Sequence, residues 1–118
     1  MEQIKQAIEQ FIKGGDNSDT ALLQEILHEN YQNIQDSFFD KTGIFIIPKQ
    51  EYIGLVRDKI FGGKPRQITY HSLEQKNNIA YAQVSLESST LRFSSLITCV
   101  NENEKWQVIT NIPSIETK

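Results

Sequence analysis

Acid–base chemistry near neutral pH falls most naturally to histidine, and the sequence holds two, His28 and His71. His71 stands in "ITYHSLE", between Tyr70 and Ser72. Its parity along a strand is opposite to that of Ile68, Tyr70 and Ser72, so if those face inward His71 faces outward, unless a bulge reverses it. Among the carboxylates, Asp36 in "NIQDSFF" can reach the mouth of a pocket, while Asp40 in "FFDKTG" reads as a turn residue. His71 and Asp36 are therefore the catalytic candidates, although no spacing marks them as a pair. His28 closes a predicted helix, where a cation interacts favourably with the helix dipole.

Other chemistries find less support. One cysteine and two histidines without ligand spacing predict no metal site, and no cofactor is expected. The stretch "FGGKPR" lacks the P-loop pattern and reads as a flexible, solvated loop rather than an anion-binding nest. Cys99 reads as a small buried hydrophobe near a strand end. Without a second cysteine there is no internal disulfide, which fits a reducing compartment.

These residues must be positioned by a mixed set of elements. Ile4, Ile8, Phe11 and Ile12 recur at helical spacing over residues 3–13, and Leu22, Leu23, Ile26 and Leu27 repeat the pattern over 19–29. "GGDNSD" separates the two, with Gly14 suited to a helix end and Ser18 or Asp19 to the next N-cap. "YQNIQDSFF" and "GIFIIP" then read as a hairpin of strands. A third helix over 49–60 aligns Tyr52, Ile53, Val56 and Ile60. Four strands follow, over 66–74, 79–86, 90–100 and 105–112, joined by short turns and hence antiparallel. Residues 113–118 are expected to form a loose tail. The predicted fold is α+β, a single domain over 1–118: a cone-like, curved, mainly antiparallel sheet of about six strands packed on three helices.

Composition narrows the partners. A net charge of −3 with the 12 basic residues scattered gives no basic stripe, so nucleic acid is not expected. No apolar run approaches the about 20 residues of a membrane helix, and the N-terminus "MEQIKQAIEQ" has no signal-like segment, so a cytoplasmic protein off the membrane is expected.

A ligand pocket is suggested by the last strands. Phe93, Ser95, Ile97 and Cys99 share one parity, as do Trp106, Val108, Thr110 and Ile112. If both sets face the helices, the small Ser95 and Thr110 leave space that ends in two hydroxyls. The competing reading is that both are ordinary strand residues. Phe38, Phe39, Tyr52, Tyr70 and Phe93 are candidate aromatic walls, although aromatics also dominate ordinary cores.

The order of these stretches resembles the nuclear transport factor 2-like superfamily, and within it the "putative lumazine-binding" branch of small bacterial proteins. "AIEQFIKGGDNSDTALLQEILHENY" is similar to the family's opening helix pair. "KTGIFIIPKQEYIGLV" is similar to its strand and following helix, "NNIAYAQVSLE" to its N-x-A-x-A-x-V strand, and "FSSLITCVNENEKWQVITNI" to its closing hairpin. The resemblance implies a cone with an open mouth. Enzymes of the superfamily, such as ketosteroid isomerase, place a carboxylate or histidine inside that cone. An acidic residue often stands two positions after the phenylalanine that begins the penultimate strand; here that position is Ser95, which shifts the expectation from catalysis towards binding.

The function expected is a small-molecule-binding module for an apolar or aromatic ligand, with Phe38, Tyr52, Tyr70, Phe93, Ser95 and Thr110 around the pocket. The alternatives are a lyase or isomerase acting on a small apolar substrate, or a dimeric interaction scaffold. Ile79, Tyr81, Leu96 and Ile109 carry the opposite parity to the inner set, so a homodimer through the outer sheet face is expected.

Overall fold

A computed structural model describes residues 1–38 and 40–118; Phe39, a candidate wall residue, lies outside them. The described residues form helices α1 (Glu2–Asp16), α2 (Thr20–Ile26) and α3 (Lys49–Arg57) and strands β1 (Leu27–Phe38), β2 (Lys41–Pro48), β3 (Gln67–Lys76), β4 (Ile79–Glu87), β5 (Leu91–Glu102) and β6 (Lys105–Thr117). The strands make one open sheet in the order β2-β1-β6-β5-β4-β3, in which β1 and β6 run parallel and every other pair is antiparallel. The architecture is the expected α+β one.

The core lies between the helices and the concave face of the sheet. The stripe Ile4, Ala7, Ile8, Phe11 and Ile12 of α1 packs on Ala80, Ala82, Val84 and Leu86 of β4, Ile97 and Cys99 of β5 and Val108 of β6, all buried. The clean alternation of β4 follows from the two-residue period of a strand with one face covered.

Several boundaries differ from expectation, each for a local reason. Helix α1 continues through Gly14 and Gly15 to Asp16 because the chain must come close to its neighbours there: a Cβ at Gly14 would meet Leu23 Cδ2 at 2.7 Å. Asp19 caps α2, accepting the Leu22 amide at 3.1 Å. That helix ends at Ile26 rather than residue 29, so His28 sits on β1 and not at a helix terminus. Its Nδ1 accepts the Asn30 amide at 3.0 Å and its Nε2 bonds to Glu102 of β5. Helix α3 stops at Arg57, leaving Ile60 in the following loop. Residues 113–117 are not a loose tail: they extend β6 and pair with β5 from Ser95↔Pro113 to Leu91↔Thr117.

Among the register shifts of the sheet, those in β3 and β6 decide which candidate residues face inward. In β3, His71 is the extra residue between Tyr70 and Ser72, so Leu73 rather than Ser72 takes the next half-buried place. In β6, Ile109 is the extra residue where Thr98↔Thr110 steps to Cys99↔Val108. Val108 therefore faces the core, but beyond the bulge Asn111 does so and Thr110 does not.

Candidate functional site

A cavity of about 650 Å³ opens between the helices and the half of the sheet formed by β1, β5 and β6. That volume lies in the range of small-molecule sites. One wall is aromatic. Phe11 and Tyr52 stand 6.0 Å apart by ring centroid, Tyr52 and Phe61 5.8 Å, and Phe61 and Phe38 5.6 Å, while Tyr31, outside the lining, packs 5.9 Å from Phe11. Phe93 of β5 forms the opposite side, next to Ser95.

The floor is polar. Asn33 and Gln35 project inward from β1 and Asn111 from β6, and all three are buried and line the cavity. Asn33 and Asn111 are paired across the parallel ladder. They are 2% and 8% exposed, and the Oδ1 atom of each has no hydrogen-bond partner. The Tyr31 hydroxyl is buried beside them, within reach of the Asn33, Asn111 and Tyr52 side chains. Burial above all, then the neighbouring Tyr52, holds the Tyr31 phenol well above its ordinary pKa, with Asn33 and Asn111 close enough to pull the other way. Tyr52 is pushed up to about 12, again mainly by burial and against the pull of the Arg66 cation. Both phenols are neutral hydrogen-bonding groups at physiological pH.

The loop after α3 closes one side. Ile60, Phe61, Gly62, Lys64 and Arg66 all reach the cavity. This "FGGKPR" stretch is pinned rather than loose. The Gly63 amide donates to Gly15 O at 3.0 Å, and Asp16 accepts both the Arg66 amide at 3.1 Å and Arg66 Nε–H at 2.6 Å. Gly62 adopts φ +72 against the Gly15 carbonyl, a place where a Cβ would come within 2.2 Å of that oxygen.

Of the residues expected around the pocket, Phe38, Tyr52, Phe93 and Ser95 line the cavity. Tyr70 does not. It packs under α1, with Lys5 Nζ 5.4 Å from its ring centroid, and its phenol is pushed to about 12 mainly by burial. Thr110 is also outside: the Ile109 bulge turns it to the convex face, where its hydroxyl bonds to Thr98. The same bulge leaves Ile112 exposed instead of inward. Asp36 is exposed at the cavity rim. His71 is exposed on the outside of the sheet, 2.6 Å from Ser85 Oγ. The two catalytic candidates are thus on different strands and neither is buried in the interior. Cys99 is buried, and desolvation pushes its thiol to about 12. Among the described residues no cluster of three or more metal-ligating side chains occurs, and no helix is long and apolar enough to cross a membrane.

Sequence reasoning missed Asn33, Gln35 and Asn111. The one available signal was the alternation of Tyr31, Asn33 and Gln35 along β1, which puts the two amides on the same face as a buried tyrosine.

Comparison with known proteins bears on the fold. No curated protein matches the sequence. A nuclear transport factor 2-like protein of unknown function from Silicibacter pomeroyi superposes with a TM-score of 0.83 at 13% identity, covering 98% of this chain and 94% of its own. One from Shewanella baltica, also of unknown function, gives 0.83 at 15% identity, covering 99% and 94%. A third, from Cytophaga hutchinsonii, gives 0.80 at 14% identity, covering 96% and 95%. At such identities the likeness is one of fold. The family model described as "Putative lumazine-binding" matches residues 1–112. The chain has the fold of these nuclear transport factor 2-like proteins, and it belongs to the family described as putative lumazine-binding.

Proposed function

We propose that the protein is a small-molecule-binding module whose cavity takes a flat, aromatic or largely apolar molecule with a polar edge. The observation that carries this reading is the pairing of an aromatic wall with the buried amides of Asn33 and Asn111 in one cavity of about 650 Å³. A buried polar atom without a partner costs on the order of 1–3 kcal/mol, and a ligand edge that offers hydrogen bonds there recovers part of it. Side-chain amides complement ring N–H and C=O groups, and a pteridinedione such as lumazine, after which the family is described, has such an edge. A lyase or isomerase reading is less supported, because Asp36 and His71 are both exposed.

The test is equilibrium binding of two probes, the neutral fluorophore N-phenyl-1-naphthylamine for the aromatic wall and lumazine for the amide floor. Both are expected to bind, and Ser95→Leu, which fills the cavity beside Phe93, is expected to abolish both signals while circular dichroism is unchanged. Failure of the naphthylamine to bind the wild-type protein, or binding indifferent to Ser95→Leu, would refute the reading.

We propose in addition that the partner on the convex sheet face is a second copy of this chain, in a cytoplasmic setting. Ile44, Ile46, Ile79 and Ile112 are exposed, and Leu96, opposite Ile112 in the ladder, is half-buried on the same face. An apolar face of this kind pairs well with itself about a two-fold axis. Sedimentation should give a dimer at micromolar concentration and a folded monomer for the double substitution Leu96→Lys, Ile112→Lys. A wild-type monomer at that concentration would remove the dimer from consideration.

A further inference from the structure

We infer that Arg66 is an anion-recognition residue of the cavity, so that the ligand carries a negatively charged oxyacid group. The inference rests on the reading that the cavity binds a small molecule, and it specifies the ligand's charge.

The guanidinium is held unusually firmly for a loop side chain. Asp16 Oδ1 takes Arg66 Nε–H at 2.6 Å, and Asp16 Oδ2 takes the Arg66 backbone amide at 3.1 Å. Both carboxylate oxygens are occupied in this way, and the two side chains are only 14% and 10% exposed. The guanidinium carbon lies 4.8 Å from the centroid of Phe93, so the ring fixes the tilt of the fork as well. The Cα of Gly15, also at the cavity, admits it closely: a Cβ there would come within 3.3 Å of Nη2.

What this arrangement leaves over is the important part. Nε is satisfied, yet the two Nη groups have no protein acceptor among the described residues. The Nη donors keep accessible surface at the cavity, so they are open to a ligand. The same donors form the planar fork that matches an oxyacid bidentately. Lys64 lines the cavity from the same loop and adds a second cation, while among the described residues Asp36 at the rim is the one acidic residue lining the cavity. A purely structural salt bridge between loop and helix would explain the Nε and backbone contacts, but not why an arginine rather than a smaller donor stands beside Phe93.

The experiment compares two probes that differ by one sulfonate: neutral N-phenyl-1-naphthylamine and 8-anilinonaphthalene-1-sulfonate. Only the part of each signal removed by Ser95→Leu is counted, which excludes binding to the convex face. The wild-type protein is expected to bind the sulfonate more tightly, with an affinity that falls as salt is raised, while the neutral probe is insensitive to salt. The double variant Arg66→Gln, Asp16→Asn removes both charges together and leaves no lone buried carboxylate. It is expected to lose about tenfold or more in sulfonate affinity beyond any loss it shows for the neutral probe, the worth of one charge-assisted hydrogen bond. Arg66→Lys is expected to fall between. Equal losses for both probes, or none for either, would overturn the assignment while leaving the binding module intact. Failure of the neutral probe to bind the wild-type cavity would instead overturn the binding reading and this inference with it.

Discussion

Asn33 and Asn111 stand opposite each other on β1 and β6, the one parallel pair in the sheet, and neither side-chain oxygen has a hydrogen-bond partner. Each strand contributes one amide to the same floor, next to the buried Tyr31 hydroxyl. Such a cluster is expensive in an apo protein and useful in a receptor.

Replacing Asn33 with leucine, which has nearly the same shape, should therefore separate stability from binding. Urea unfolding is expected to show a free energy unchanged or raised by about 1 kcal/mol, since an unpaired buried polar group is exchanged for an apolar one. Lumazine affinity is expected to fall about tenfold, while N-phenyl-1-naphthylamine is held as before. A stability loss above about 2 kcal/mol would mean that the amide serves the fold.

Gly62→Ala should disturb the loop that carries Phe61, Lys64 and Arg66. The left-handed backbone at φ +72 disfavours any side chain, and the added Cβ would sit 2.2 Å from the Gly15 carbonyl oxygen. The expected cost is about 1–3 kcal/mol, seen as a lower urea midpoint, together with weaker binding of both naphthalene probes. A variant with the wild-type midpoint would show that the loop does not depend on this contact.

Alkaline pH should unfold the protein over a definite window. Burial raises the Tyr31 phenol well above its usual value and brings Tyr52 and Tyr70 to about 12, and the bond to Glu74 raises Tyr81. The folded chain therefore keeps protons that the unfolded chain has lost. Stability from these groups is complete below about pH 10, the unfolded value, and is lost as pH rises through about 12. Absorbance at 295 nm should report Tyr31 and Tyr52 as tyrosinate only as circular dichroism reports unfolding. Ionisation centred near pH 10 with the dichroism intact would contradict the buried environment.

The parts of the fold legible in the sequence are those where period and burial agree. Ala80, Ala82, Val84 and Leu86 alternate without interruption, and Ile4, Ile8, Phe11 and Ile12 keep helical spacing, so β4 and α1 could be read directly. Leu27 misled because it continues the apolar spacing of Leu23 while already paired with Val108 in the sheet. The C-terminal residues misled because "PSIET" is polar and contains proline, yet its backbone pairs with β5. At the site, Phe38, Tyr52, Phe93 and Ser95 followed from parity and residue type. Asn33, Gln35 and Asn111 did not, because an amide facing a cavity has the same composition signal as one facing water. Arg66 was hidden in a stretch rich in loop formers, whose anchoring depends on Asp16, fifty positions away.

The bulge at Ile109 has a consequence for how this protein could change over time. Beyond it, every β6 residue takes its side of the sheet from one extra position in the chain. Deleting Ile109 would only restore plain alternation after Val108 and leave Asn111 on the floor. Drawing Ile109 into the ladder with no residue lost would instead bring Thr110 and Ile112 to the floor and send Asn111 outward. A hydrogen-bonding floor would become a greasier one without any residue being replaced. Ligand preference and the character of the convex face are thus joined in one reading frame of side chains, and flattening that bulge would revise both at once.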